Sequence, residues 1–205
     1  MTKITAIVAA AGIAALLGGT AGYLWFAGSS GDPMAHCRGG QVAGGAIGGP
    51  FTLVNTAGET VTDKDVLAKP ALVYFGYTFC PDVCPLDAQR NADAVDILAQ
   101  RGIDVTPIFI TIDPARDTPK ALADFTSAIS PKMIGLTGSP EQVKAASVSY
   151  KTYFKQQPAD DEYYLMDHTT YTYFMLPGAG FTEFFDRDIS DEMMADKVAC
   201  FLEAR

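Results

Sequence analysis

Between residues 71 and 77 the chain reads Ala-Leu-Val-Tyr-Phe-Gly-Tyr, an apolar run with no polar position to mark a solvent face. Its length and its β-branched and aromatic content predict a strand buried on both sides. Beyond it Ala88, Ala92, Val95 and Ala99 recur at helical spacing, predicting a helix that starts near Pro85 and stops at Gly102. Residues 105–112 read as the next strand. Thr118-Pro119 then opens a helix to about residue 129, with Thr as cap and Pro at the first helical position. Residues 133–136 form a short strand, and Ser139-Pro140-Glu141-Gln142 is a capping box for a helix to about residue 154. Strands at 169–176 and 181–185 pair across 177–180, and Ser190 caps a last amphipathic helix to about residue 202. Before the buried strand, 51–54 and 60–62 flank 55–59 as a hairpin containing Gly58.

Strands alternating with helices imply right-handed crossovers and a mixed sheet with helices on both faces. The fold class is therefore α/β, and a thioredoxin-like core is the natural reading. The carboxyl end of the 71–77 strand, where such folds place their sites, runs into Cys80-Pro81-Asp82-Val83-Cys84-Pro85.

The first residues have a different pattern. No charged side chain occurs from Ile4 to Gly31, and 4–26 is almost wholly apolar. That length can cross a bilayer as a helix, which needs roughly 20 apolar residues. A cleaved signal peptide is the competing reading, but its apolar part usually covers only ~7–15 residues. Trp25 and Phe26 also stand where small residues would be wanted for cleavage. Residues 1–28 are expected to be a transmembrane anchor, 29–48 a Gly-rich tether and 49–205 a thioredoxin-like domain. Lys3 precedes the span and Asp32 is the first charge after it, so the positive-inside tendency exports the rest of the chain. With no Arg-rich transit sequence, the expected location is a bacterial inner membrane, single-pass, with the C-terminal domain in the periplasm.

Without Lys3 the chain carries 14 basic and 24 acidic residues. This acidity argues against nucleic acid, because no basic patch is present to neutralise phosphates.

Cys80 and Cys84 can close on each other as a disulfide or together on one soft ion. A structural bridge or a pair of inert core thiols fits the setting poorly. Pro81, Asp82 and Pro85 favour a surface loop, a bridge across so short a loop adds little stability, and a helix N-terminus favours thiolate. The chain has two histidines, His36 and His168. A thioredoxin-like fold brings the loop before its late hairpin, which carries His168, next to the cysteine loop. Two thiolates and an imidazole suit three-coordinate Cu(I) and extend to Cu(II) with an added ligand; Zn(II) would accept the same residues with water as the fourth ligand.

The stretches Tyr74-Phe-Gly-Tyr-Thr-Phe-Cys-Pro-Asp-Val-Cys-Pro85, Asp113-Pro-Ala-Arg-Asp-Thr-Pro119 and Asp167-His168 resemble the three signatures of the Sco (SenC-type) copper proteins. Ile134-Gly-Leu-Thr-Gly-Ser-Pro-Glu141 is also similar, and the resemblance runs from about residue 49 to 185. It implies a thioredoxin fold in which Cys80, Cys84 and His168 bind copper. It also implies a metallochaperone role in assembling the dinuclear copper centre of cytochrome c oxidase subunit II. One departure is Phe79, where many members carry a His that is not a ligand.

Of the remaining motif residues, Asp82 reads as a capping or turn residue and Asp113 as a turn residue before Pro114. Arg116 and Asp117 are expected to brace their loop by pairing. Cys37 and Cys200 are expected to form a structural disulfide that straps the lead-in segment to the last helix; His36-Cys37 as a second metal site is the alternative. Copper loading would require Cys80 and Cys84 reduced, which makes a periplasmic dithiol reductant a partner, alongside another copper carrier. The rival function is a thiol–disulfide oxidoreductase, with Cys80 and Cys84 as the redox pair, reducing the target's cysteines or acting in redox signalling. A third is a peroxidase using a sulfenic acid.

Overall fold

The structure, a computed structural model, describes residues 12–13, 15–20, 22–23, 33–38, 47–159 and 163–204. Thr52–Asn55 (β1) and Thr60–Thr62 (β2) are antiparallel, turned where Gly58 takes φ 82° and the Asn55 side chain accepts from the N–H groups of Ala57 and Glu59. A short helix, Asp63–Val66 (α1), leads to the apolar run as Ala71–Gly76 (β3), buried at all six positions. Then come Val83–Gln100 (α2), Thr106–Thr111 (β4), Pro119–Ile129 (α3), Ile134–Thr137 (β5) and Pro140–Ser149 (α4). The chain finishes with Phe154–Gln156 (β6), Met166–His168 (β7), Thr172–Leu176 (β8), Gly180–Phe185 (β9) and Asp191–Glu203 (α5).

Seven strands form one sheet in the order β2-β1-β5-β4-β3-β8-β9. β3, β4 and β5 are parallel, while β8 and β9 continue antiparallel from β3. The unit β3-α2-β4 followed by β8-β9-α5 is the thioredoxin-like arrangement, with β1 and β2 added beyond β5. Alternation along β3 supplies two cores. Leu72 packs with Leu98 of α2, Phe174 of β8 and Met194, Val198 and Phe201 of α5. Val73 and Phe75 pack on the opposite side with Leu122 of α3, Val143 and Ala146 of α4, and Tyr150.

Several boundaries differ from the sequence expectation. The α2 helix begins at Val83, two residues before Pro85, which places Cys84 in its first turn. The α4 helix stops at Ser149 rather than near 154, because Lys151 turns left-handed at φ 54°. The N–H of Thr152 then bonds the Ser147 carbonyl and the N–H of Lys151 the Val148 carbonyl, a Schellman closure built without glycine. Past this stop the chain forms the separate two-stranded ribbon β6-β7, with Phe154 opposite His168. The late hairpin strand consequently starts at Thr172, not 169.

Most of the expected anchor, 1–28, lies outside the described residues. Those described between 12 and 23 are helical, with Ile13, Leu16, Leu17 and Tyr23 exposed. Among the described residues no helix is long and apolar enough to cross a membrane. Of the expected tether, 33–38 contains a 3-10 turn, Ala35–Cys37, against α5, and 39–46 lie outside the described residues.

Candidate metal centre

Gly76 ends β3 where a side chain could not fit: a Cβ there would stand 2.8 Å from Tyr74 Cε1 and 2.9 Å from Phe109 Cζ. The chain then loops through Tyr77 to Asp82 and enters α2. Asp82 occupies the N-cap but its carboxylate makes no capping bond. The backbone N–H of Cys84 donates instead to Cys80 Sγ at 3.3 Å, so a sulfur takes the place of the usual capping oxygen. Cys80 is 7% exposed and Cys84 0%. The Cys84 thiol, hydrogen bonding with His168 and the N–H groups of Asp82 and Cys84 outweigh burial and hold the Cys80 thiol well below its ordinary range. Cys84 is pushed up, first by donating to Cys80 and then by burial. One sulfur is therefore poised as thiolate and the other keeps its proton.

The ribbon supplies the imidazole. His168 Nε2 lies 3.3 Å from Cys84 Sγ, while Nδ1 is 2.8 Å from the Thr169 carbonyl. A carbonyl can only accept, so Nδ1 carries hydrogen and Nε2 is the ring nitrogen turned toward the sulfurs. The Tyr74 and Tyr77 rings meet the imidazole edge-on, at 6.3 Å and 5.9 Å between centroids. The Tyr77 hydroxyl also accepts from the N–H of Met166 at 3.3 Å. The ligand atoms of Cys80, Cys84 and His168 all lie within 4.8 Å of one another. Two bonds of about 2.3 Å from sulfur to a soft ion can span separations of that size.

The 113–119 segment braces both ligand-bearing elements. Buried Asp117 accepts from the Thr78 N–H (3.0 Å), the Thr78 hydroxyl (2.6 Å) and the Thr111 hydroxyl (2.6 Å), which ties the cysteine loop to the end of β4. Asp113 pairs with Arg116 at 2.5 Å and accepts from the Tyr164 hydroxyl at 2.8 Å. The Arg116 guanidinium lies 3.5 Å from the Tyr164 ring centre and 4.8 Å from that of Phe79. The expected pairing of Arg116 with Asp117 is thus replaced: neighbours in sequence point apart, and each finds a partner on another segment. Asp113 makes the expected turn, accepting from the N–H groups of Arg116 and Asp117, and it also holds the approach to β7.

Beneath Cys84 is a buried polar set that the sequence patterns do not announce. The Tyr74 hydroxyl donates to Asp87 at 3.0 Å, and Asp87 pairs with Arg90 at 3.1 Å. Arg90 also reaches the Arg187 carbonyl. Tyr74 and Thr78 lie inside the cysteine motif and could have been singled out there, whereas nothing in the sequence marks Tyr164.

A family model described as SCO1/SenC matches residues 40–203. The chain belongs to this family. It is similar to protein SenC of Rhodobacter capsulatus, 58% identical over 174 residues, which cover 84% of this chain and 79% of that protein. The SCO1 homolog 1, mitochondrial, of Arabidopsis thaliana is 38% identical over 168 residues, 82% of this chain but only 50% of the longer relative. Among solved structures, Arabidopsis thaliana ScoI with copper bound matches with a TM-score of 0.75 and 38% identity, covering 78% of this chain and 100% of that one.

Away from this centre, a disulfide joins Cys37 to Cys200 on α5, 163 residues apart, with Cα atoms 5.8 Å from each other. His36 Nε2 lies 3.4 Å from Cys37 Sγ.

Proposed function

We propose that this chain is a copper metallochaperone in which Cys80, Cys84 and His168 hold the ion and release it to the dinuclear copper site of cytochrome c oxidase subunit II. The observation that carries the reading is His168 Nε2 turned toward two buried sulfurs, with the donor atoms of all three residues within 4.8 Å of one another. That donor set favours Cu(I) as cargo, and an added ligand would extend it to Cu(II). Loading displaces the Cys84 proton, and delivery is ligand exchange across a small, transient interface. Oxidation of both thiols removes the anionic ligands, so a dithiol reductant acts before loading, and another copper carrier supplies the ion.

In this reading residues 1–28 anchor the protein in a bacterial inner membrane, 29–48 form the tether, and 49–205 carry the site in the periplasm. The exposed apolar side chains of Ile13, Leu16, Leu17 and Tyr23 support the anchor. Anaerobic Cu(I) titration of the full chain in detergent, against a chromophoric chelator, tests the proposal. Wild type should compete strongly, and His168→Ala should bind at least about tenfold more weakly. Equal, weak uptake by both would favour a thiol–disulfide oxidoreductase.

A further inference from the structure

The Cys37–Cys200 bridge sits in a second soft-donor set. His36 is exposed, Cys37 is buried and Cys200 is partly buried, and the ligand atoms of all three lie within 4.8 Å of one another. This is the donor composition of the Cys80, Cys84 and His168 centre, assembled from the Ala35–Cys37 turn and the last full turn of α5. The two cysteines are held together by packing as well as by their bond: Cys37 belongs to the core that contains Met194, Val198 and Phe201.

We propose that reduction of the Cys37–Cys200 bridge turns this strap into a second Cu(I) site, with Cys37 Sγ, Cys200 Sγ and a His36 ring nitrogen as ligands. A small dithiol supplies the two electrons and two protons. It forms a mixed disulfide with one sulfur of the bridge, then closes on itself and leaves two thiols on the chain. Partly buried Cys200 offers the more open sulfur for that attack. One Cu(I) then displaces both thiol protons and takes the imidazole lone pair, giving a centre of net charge −1. The ion joins the same two sulfurs that the covalent bond joined, so the lead-in segment stays tied to α5 in either chemical state. Exchange of the empty dithiol with a small-molecule disulfide, which takes up the two electrons and two protons and leaves as two thiols, restores the bridge.

The test uses the full chain in detergent with Cys80→Ser and Cys84→Ser, which removes the first centre and makes the outcome independent of it. Anaerobic Cu(I) titration against a chromophoric chelator should give no tight uptake with the bridge intact and one equivalent after reduction and removal of the reductant. Adding His36→Ala should weaken that uptake at least about tenfold. X-ray absorption on the loaded form should show sulfur and nitrogen neighbours. If the serine variant does not fold, wild type serves: two equivalents with all four thiols free, against one with the strap oxidised and Cys80 and Cys84 reduced. No uptake by the reduced serine variant, or uptake indifferent to His36→Ala, overturns the proposal.

Discussion

Replacing Asp117 by Ala should damage both the fold and the metal centre, and the size of the effect follows from its three bonds. The carboxylate is wholly buried and accepts from one backbone N–H and two hydroxyls, all within 3.0 Å. A buried donor left without a partner costs about 1–3 kcal/mol. The Thr78 N–H cannot turn to another acceptor, whereas the two hydroxyls can partly reorient. The expected loss is therefore about 3–5 kcal/mol, a large part of the roughly 5–15 kcal/mol that holds a domain of this size. Asn keeps one oxygen to accept from the Thr78 N–H and the Thr111 hydroxyl and presents its amide N–H to the Thr78 hydroxyl oxygen, so Asp117→Asn should cost about 1–2 kcal/mol. Burial also raises the Asp117 pKa above its usual value despite the hydrogen bonds from Thr111 and Thr78. A raised folded-state pKa means that this group's stabilisation is complete below the unfolded value near 3.8 and is lost as pH rises through the folded value. The advantage of wild type over Asp117→Asn should thus shrink on going upward from pH 3.8. Urea unfolding of the copper-free protein at several pH values gives these numbers, and Cu(I) competition should show weaker binding by Asp117→Ala, because Thr78 positions the loop that ends in Cys80. A cost below about 1 kcal/mol for Ala with copper affinity unchanged would refute the brace.

Cys80 should alkylate with a pH profile far flatter than the tenfold fall per unit expected below an ordinary thiol pKa of about 8.5. Mass spectrometry of iodoacetamide-labelled, reduced, copper-free protein between about pH 5 and 8 measures it, and a tenfold drop per unit would contradict the poised thiolate. Lys151→Gly should stabilise the protein by about 0.5–1 kcal/mol, since the left-handed conformation at φ 54° penalises a Cβ. Thermal unfolding should show a rise of about 1–4 °C, and no change or a fall would mean that the Lys151 side chain offsets the strain.

The large regular elements were legible because several signals agreed at each. Ser139 with Gln142, and Thr118 with Pro119, mark helix starts that the structure keeps, with each cap side chain accepting from its third helical N–H. The continuous apolar run announced a central strand, and the alternation of strands and helices implied the mixed sheet. The ribbon was not legible. Phe154-Lys155-Gln156 and Met166-Asp167-His168 are three residues each, too short for periodicity, and they pair because Lys151 ends α4 without the glycine that usually announces such a stop. At the site, the motifs pointed to Cys80, Cys84 and His168 as one group and to the turn at Asp113, but the partners of Arg116 and Asp117 were misassigned. Thr78 is 39 residues from Asp117 and Tyr164 is 51 from Asp113. Distances of that kind are set by topology and leave no local trace.

The ribbon also sets the proposed ligands on mechanically separate elements. Both sulfurs sit at the mouth of the main sheet, at the junction of β3 and α2, whereas the imidazole rides on a three-pair ladder outside that sheet. If the site holds copper as proposed, peeling this ladder would withdraw nitrogen and leave the ion on two thiolates, an arrangement Cu(I) tolerates as a linear pair. Grip strength would then be coupled to the fraying of a few backbone bonds, and a recipient that competed for the ribbon would loosen the proposed cargo without ever touching sulfur.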